Sequence, residues 1–127
     1  MKHSAKWIFV ALTSLLGSVA GAGERVRKPV QVANGYAAGP IGSARNSPDS
    51  VQQIGCTITT YEGSAPVLVC FARSLTTYGS CSSDDPNLVA TARAINGDSY
   101  ISFNWNASGR CTNLHVSTAS NYEPKQL

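Results

Sequence analysis

The sequence predicts an α+β fold. Its core is a mostly antiparallel sheet of four to five strands built from two hairpins, with one main helix between them, a short N-terminal helix and two disulfides. Three observations carry this. In residues 98–117, Ile101, Phe103 and Trp105 alternate with Tyr100, Ser102 and Asn104, and after Asn106-Ala107-Ser108-Gly109 the alternation resumes. There Thr112, Leu114 and Val116 face one way and Cys111, Asn113 and His115 the other, which is the period-2 signature of a hairpin with one apolar face. Residues 54–61 are rich in Ile, Thr and Tyr, Glu62-Gly63-Ser64 supplies a turn, and residues 65–73 return through Val67-Leu68-Val69-Cys70-Phe71. Between the hairpins, Asp84 or Asp85 caps a helix that Pro86 opens. Leu88, Ala92 and Ile95 form its apolar stripe, with Val89 beside them, and Asn96-Gly97 ends it.

Taken from the N-terminus, residues 1–22 read as a signal peptide. Lys2 and Lys6 give a positive start, residues 7–16 are apolar except for Thr13 and Ser14, and Ser18-Val19-Ala20 and Ala20-Gly21-Ala22 are both cleavage signatures. Cleavage is expected after Ala20 or Ala22. The apolar run is well short of the ~20 residues of a membrane span. Residues 23–40 read as a loose lead-in, with Val30, Val32 and Tyr36 alternating weakly around the turn dipeptide Asn34-Gly35, which leaves room for a short edge strand. Residues 41–122 form the single disulfide-stapled domain. Ser47-Pro48-Asp49 reads as the start of the short helix, which Gly55 stops. The return strand over 67–71 is apolar at nearly every position, so it is expected to be central and covered on both faces. Residues 74–83 read as a polar loop holding Cys81, and residues 123–127 as a frayed tail.

The full chain carries ten basic and seven acidic residues. Without Lys2 and Lys6 the basic count falls to eight, so the exported part is near neutral. Nucleic-acid binding, which rests on a concentrated basic patch, is not expected. Cys56, Cys70, Cys81 and Cys111 are an even set in a small exported domain, which implies two disulfides. No pair is spaced C-x-x-C, so neither redox nor zinc chemistry is supported. If Ile58 opposes Leu68 in the first hairpin, Cys56 falls opposite Cys70. That favours Cys56–Cys70 with Cys81–Cys111 over the two other connectivities.

No catalytic, metal or cofactor site is assembled by the motifs. His115 is the only histidine outside residues 1–22, and the hairpin places it across from Tyr100. A nucleophile site would need an orienting acid and a nucleophile elbow, and no serine has that setting. The acids at 49, 84 and 85 are accounted for as helix caps, which leaves no carboxylate pair for glycoside hydrolysis. The remaining candidate is the polar side of the last hairpin: Tyr100, Ser102, Asn104, Asn113 and His115 offer hydrogen bonds with little charge, the chemistry of a protein- or sugar-binding face.

The layout GSARNSPDSVQQIGC, CFAR, CSSDDPNLV, DSYISFNW and GRCTNLHV resembles small exported proteins of Gram-negative bacteria, over residues 42–122. The resemblance is to exported proteins, which together with the leader points to a periplasmic or secreted location, and it carries no activity, cofactor or catalytic residue across to this sequence. The expectation is a non-enzymatic, inhibitor-like binding domain whose partner is another exported or envelope protein. The alternatives are a small hydrolase using His115 and a component of a cell-surface assembly.

Overall fold

The computed structural model describes residues 23–127. The signal-peptide reading falls on residues 1–22, outside the described residues. Among the described residues there are seven strands and two helices, in the order β1 (Gln31–Ala33), β2 (Tyr36–Pro40), α1 (Ile41–Arg45), β3 (Gln53–Thr59), β4 (Val67–Arg73), β5 (Tyr78–Ser83), α2 (Pro86–Ala92), β6 (Tyr100–Trp105) and β7 (Cys111–Ser117). Every strand pairing is antiparallel. The strands form two sheets, β1-β2-β6-β7 and β3-β4-β5. The expected single sheet of four to five strands is thus corrected to two, enclosing one core. Ala37, Ile101, Phe103 and Leu114 from the first sheet meet Ile54, Leu68, Cys70 and Ala72 from the second, with Val89 and Ala92 of α2 closing the side.

The extra strands come from the lead-in, read as holding at most a short edge strand, and from the segment read as a polar loop. The lead-in contains the β1–β2 hairpin, with Asn34-Gly35 as its two-residue connection between Ala33 and Tyr36. The polar loop contains β5, which pairs along β4 from Leu68↔Ser83 to Arg73↔Tyr78. The short helix also moves. It occupies Ile41–Arg45, and no side chain caps it. Asp49 does accept backbone hydrogen bonds, from Val51 N at 2.9 Å and Gln52 N at 2.8 Å, and a third from Gln52 Nε2 at 2.7 Å. It closes a turn that leads directly into β3 rather than a helix.

These bonds to the charged carboxylate, foremost that from the Gln52 side chain, lower the Asp49 pKa to about 2. A folded-state pKa below the unfolded value stabilises the fold above the unfolded pKa and loses that contribution as pH falls toward about 2. Asp49→Asn is therefore expected to flatten the acid limb of stability between roughly pH 4 and pH 2, and to leave its shape at higher pH unchanged. Urea midpoints across that range measure it. An acid limb identical to that of the parent protein would show that the turn contributes no linkage.

In α2, Asp85 Oδ1 accepts from Asn87 N at 2.9 Å and Leu88 N at 3.1 Å, with Pro86 at the first position. The helix ends at Ala92 instead of residue 95, because Ala94 N bonds Thr91 O and Ile95 N bonds Ala92 O, three residues back, tightening the last turn. The apolar stripe is centred on Val89 and Ala92, with Leu88 and Ile95 half-buried at its margin.

All four cysteines are bridged, Cys56 to Cys70 and Cys81 to Cys111. The register is informative, because Cys70 has Cys56 opposite it on one side and Cys81 on the other. Hydrogen-bond phase separates the two. Ser82 N donates to Gly109 O, away from β4, so the Ser82 pair on β4 is not hydrogen-bonded and the adjacent Cys70–Cys81 pair is. Cys70 therefore spends its backbone groups on β5 and meets Cys56 in a non-hydrogen-bonded pair, where side chains lie closer. The Cα atoms of Cys56 and Cys70 are 4.0 Å apart.

The last hairpin carries a further correction. Asn104 pairs with Asn113 but Trp105 pairs with Cys111, so Thr112 is an extra residue in β7. This bulge reverses the alternation. Cys111 turns inward and joins Phe103 and Leu114 in the core, while Thr112 is exposed. The bridge to Cys81 thus passes through the interior between the two sheets. The C-terminal segment is docked rather than frayed. Tyr122 forms a bridge with Val26, Arg27 pairs with Glu123 at 3.0 Å, and Asn46 bonds both Pro124 O and Gln126 N. Gly42 permits this crossing, since a Cβ there would lie 1.9 Å from the Glu123 carbonyl oxygen.

Candidate functional site

The polar side of the β6–β7 hairpin is the outer surface of the four-stranded sheet. Its register differs from expectation: His115 lies opposite Ser102, and Tyr100 opposite Ser117. The register is two residues from the expected Tyr100–His115 pair: the turn is one residue longer than that count assumes, so that Trp105 faces Cys111, and the extra Thr112 adds the second residue of shift. Tyr100 and His115 are diagonal neighbours with ring centroids 6.5 Å apart. Tyr122 from the docked C-terminal segment stacks on Tyr100 at 5.3 Å. Burial raises the Tyr100 pKa, and the Tyr36 side chain adds to the effect. Ala38, between these rings, is 2% exposed, so the tyrosines cover the middle of the face. Asn104 points its amide at Gly35 O, 3.3 Å away, and so braces the β1–β2 turn. Asn113 and His115 remain exposed.

His115 takes part in neither of the two ion pairs found among the described residues. Within those residues no group of three or more His, Cys, Asp or Glu side chains is placed to hold a metal ion. No helix among them is long and apolar enough to cross a membrane.

A second surface was not visible in the sequence. β4 is central in its sheet, but it is covered on one face only. Leu68, Cys70 and Ala72 point into the core, while Val67 and Val69 are 42% and 38% exposed on the other side. Phe71 lies on this outer face with its ring over Gly55 of β3, and Arg73 sits 5.5 Å above the Tyr78 ring. Thr57, Thr59, Ser80 and Ser82 complete the face in register with these residues. It is a surface of aliphatic, aromatic, hydroxyl and amide side chains with a single charge among the described residues.

Cavities lie at the two ends of the molecule. Where the chain ends meet, a cavity of about 340 Å³ is lined by Arg27, Lys28, Ser43, Asn46, Gln52 and Glu123, with Arg27 already neutralised by Glu123. At the opposite end, two adjoining cavities of about 390 Å³ and 690 Å³ share Asn34, Ser80 and Trp105. Trp105 reads as core in the sequence. Here it is half-buried, with one edge against Phe103 and Gly79 and the rest lining these cavities.

Compared with protein families, with curated proteins and with solved structures, the chain matches none.

Proposed function

We propose that this chain is a small exported binding domain that engages another exported or envelope protein, in an inhibitor-like manner, without chemistry of its own. The outer face of β3–β4–β5 carries the reading. A monomer ordinarily keeps contiguous apolar side chains off its surface, and a patch with exposed Val67, Val69 and Tyr78, half-exposed Phe71 and only one charge among the described residues has the composition of an interface centre. Two bridges in a small domain favour an oxidising compartment, which supports periplasmic or secreted action. The same face also suits a second copy of the chain, which is the assembly alternative.

Val69 sits in the middle of this face on the central strand, and its side chain points to solvent. Val69→Arg is expected to leave the fold intact and to abolish partner capture. Crosslinking in the envelope fraction, with identification of the captured protein, compares the two forms. A defined protein retained by the parent chain and lost by V69R supports the proposal. Repeated failure to retain any protein, or retention indifferent to V69R, overturns it. Sedimentation of the purified chain separates the assembly alternative, which requires self-association that V69R removes.

A further inference from the structure

The two adjoining cavities form one groove between the free edge of β5 and the β1–β2 and β6–β7 turns. Trp105 lies at its base. The indole can sit there because Gly79 has no side chain: a Cβ would come within 2.6 Å of the ring at Cη2 and 3.1 Å of Val32 Cγ1. Asn34, Asn106, Thr77, Ser80 and Tyr78 line the groove around Trp105, residues that carry amide, hydroxyl and aromatic groups. Among the described residues, no Lys, Arg, Asp or Glu lines either cavity.

The backbone adds to this. β5 ends its sheet, and Ser82 N donates outward to Gly109 O at 3.1 Å. Backbone groups two residues apart on one strand point the same way. The N–H and C=O of Ser80 therefore point outward as well, into the groove. Asn106 Oδ1 accepts from Ser108 N, Ser108 Oγ and Arg110 N, which fixes the amide and leaves its Nδ2 hydrogens for another acceptor.

We propose that this groove binds a neutral oligosaccharide. Each sugar hydroxyl both donates and accepts, and the groove offers fixed donors and acceptors beside an aromatic surface on which a pyranose C–H face can pack. No charged side chain lines the groove to select an anionic or cationic ligand, and Arg73, held over the Tyr78 ring, lines neither cavity. An added peptide strand is the weaker fit. Ser82 is already joined to Gly109, so only the stretch from Tyr78 to Ser80 is open, too short for the main-chain pairing on which strand addition relies. The site borders the Val69 surface and shares Tyr78 and Ser80 with it, but Val69 lines neither cavity, so sugar binding can hold or fail independently of what V69R does to partner capture.

The test is an NMR titration of the ¹⁵N-labelled protein with cellotriose, chitotriose and maltotriose, following the Trp105 indole N–H and the Ser80 amide. At least one trisaccharide is expected to shift both signals saturably. Ser80 is exposed, so Ser80→Arg fills the groove without touching the core. It is expected to weaken that sugar at least about tenfold, the equivalent of roughly 1.4 kcal/mol, with the rest of the spectrum unchanged. No response at Trp105 to any of the three sugars overturns the proposal. So does a response undiminished in S80R, or one evoked by an uncharged extended peptide and by no sugar.

Discussion

Replacing Phe103 with alanine is expected to cost about 3–5 kcal/mol of stability, the usual range for removing a buried aromatic ring. Phe103 is fully buried at the centre of β6, with Ala37 across from it on β2 and Leu114 across on β7. The small side chain of Ala37 makes the room that the ring fills. It is itself fully buried and backed by the sheet, so it cannot move in to close the space. Trp105, whose ring centroid is 5.7 Å away, would lose the partner that holds its inner edge. Phe103→Leu keeps much of the volume and is expected to cost well under half as much. Urea denaturation of both variants measures the difference. A cost below about 2 kcal/mol for F103A would mean that the two sheets collapse into the space, and that the core is less tightly packed than described.

The parts of the fold that are legible in the sequence are those where large apolar residues set the period. Ile101, Phe103 and Leu114 mark the last hairpin, Ile54, Ile58 and Leu68 the other, and Asp85-Pro86 marks the start of α2. Strands whose inward residues are small are not legible. β5 points Gly79, Cys81 and Ser83 inward, and β2 relies on Ala37, Ala38 and Gly39, so neither produces a hydrophobic alternation although both are well buried. Small residues are required at both places for a tertiary reason. Gly79 accommodates the Trp105 ring and Ala37 the Phe103 ring, and neither partner is near in sequence.

The bulge at Thr112 escapes for a related reason. Its signature is a reversal of parity, and the polar and apolar residues around Cys111 fit either phase until the bridge to Cys81 decides between them. Of the candidate surfaces, the hairpin face with Tyr100 and His115 is legible from alternation alone. The cover that Tyr36 and Tyr122 place over it is not, because Tyr122 arrives from the docked C-terminal segment. The groove at Trp105 joins three turns and strand ends, and the open face of β4 is defined by the lack of a covering layer. Neither property belongs to any single segment.

Removing the Cys81–Cys111 bridge is expected to be the more damaging of the two disulfide deletions. The chain-entropy relation assigns about 3.6 kcal/mol to a closed loop of this size and about 3.0 kcal/mol to the smaller one, for sequence separations of 30 and 14. Topology widens the gap. Cys56–Cys70 links two strands that are already paired along their length, so their register survives without it. Cys81–Cys111 crosses between sheets, from β5 to β7, where among the described residues the backbone link is the short Ser82–Arg110 bridge with its Ser82 N to Gly109 O bond. Both sulfurs are part of the core, so the double alanine variant also opens internal space between the layers. C81A/C111A should therefore unfold at a clearly lower urea concentration than C56A/C70A. It should also lose the Trp105 environment first, because the groove is built across the same junction. Equal midpoints, or a greater loss from C56A/C70A, would mean that the sheets are held together by side-chain packing alone and that the inter-sheet bridge is incidental to it.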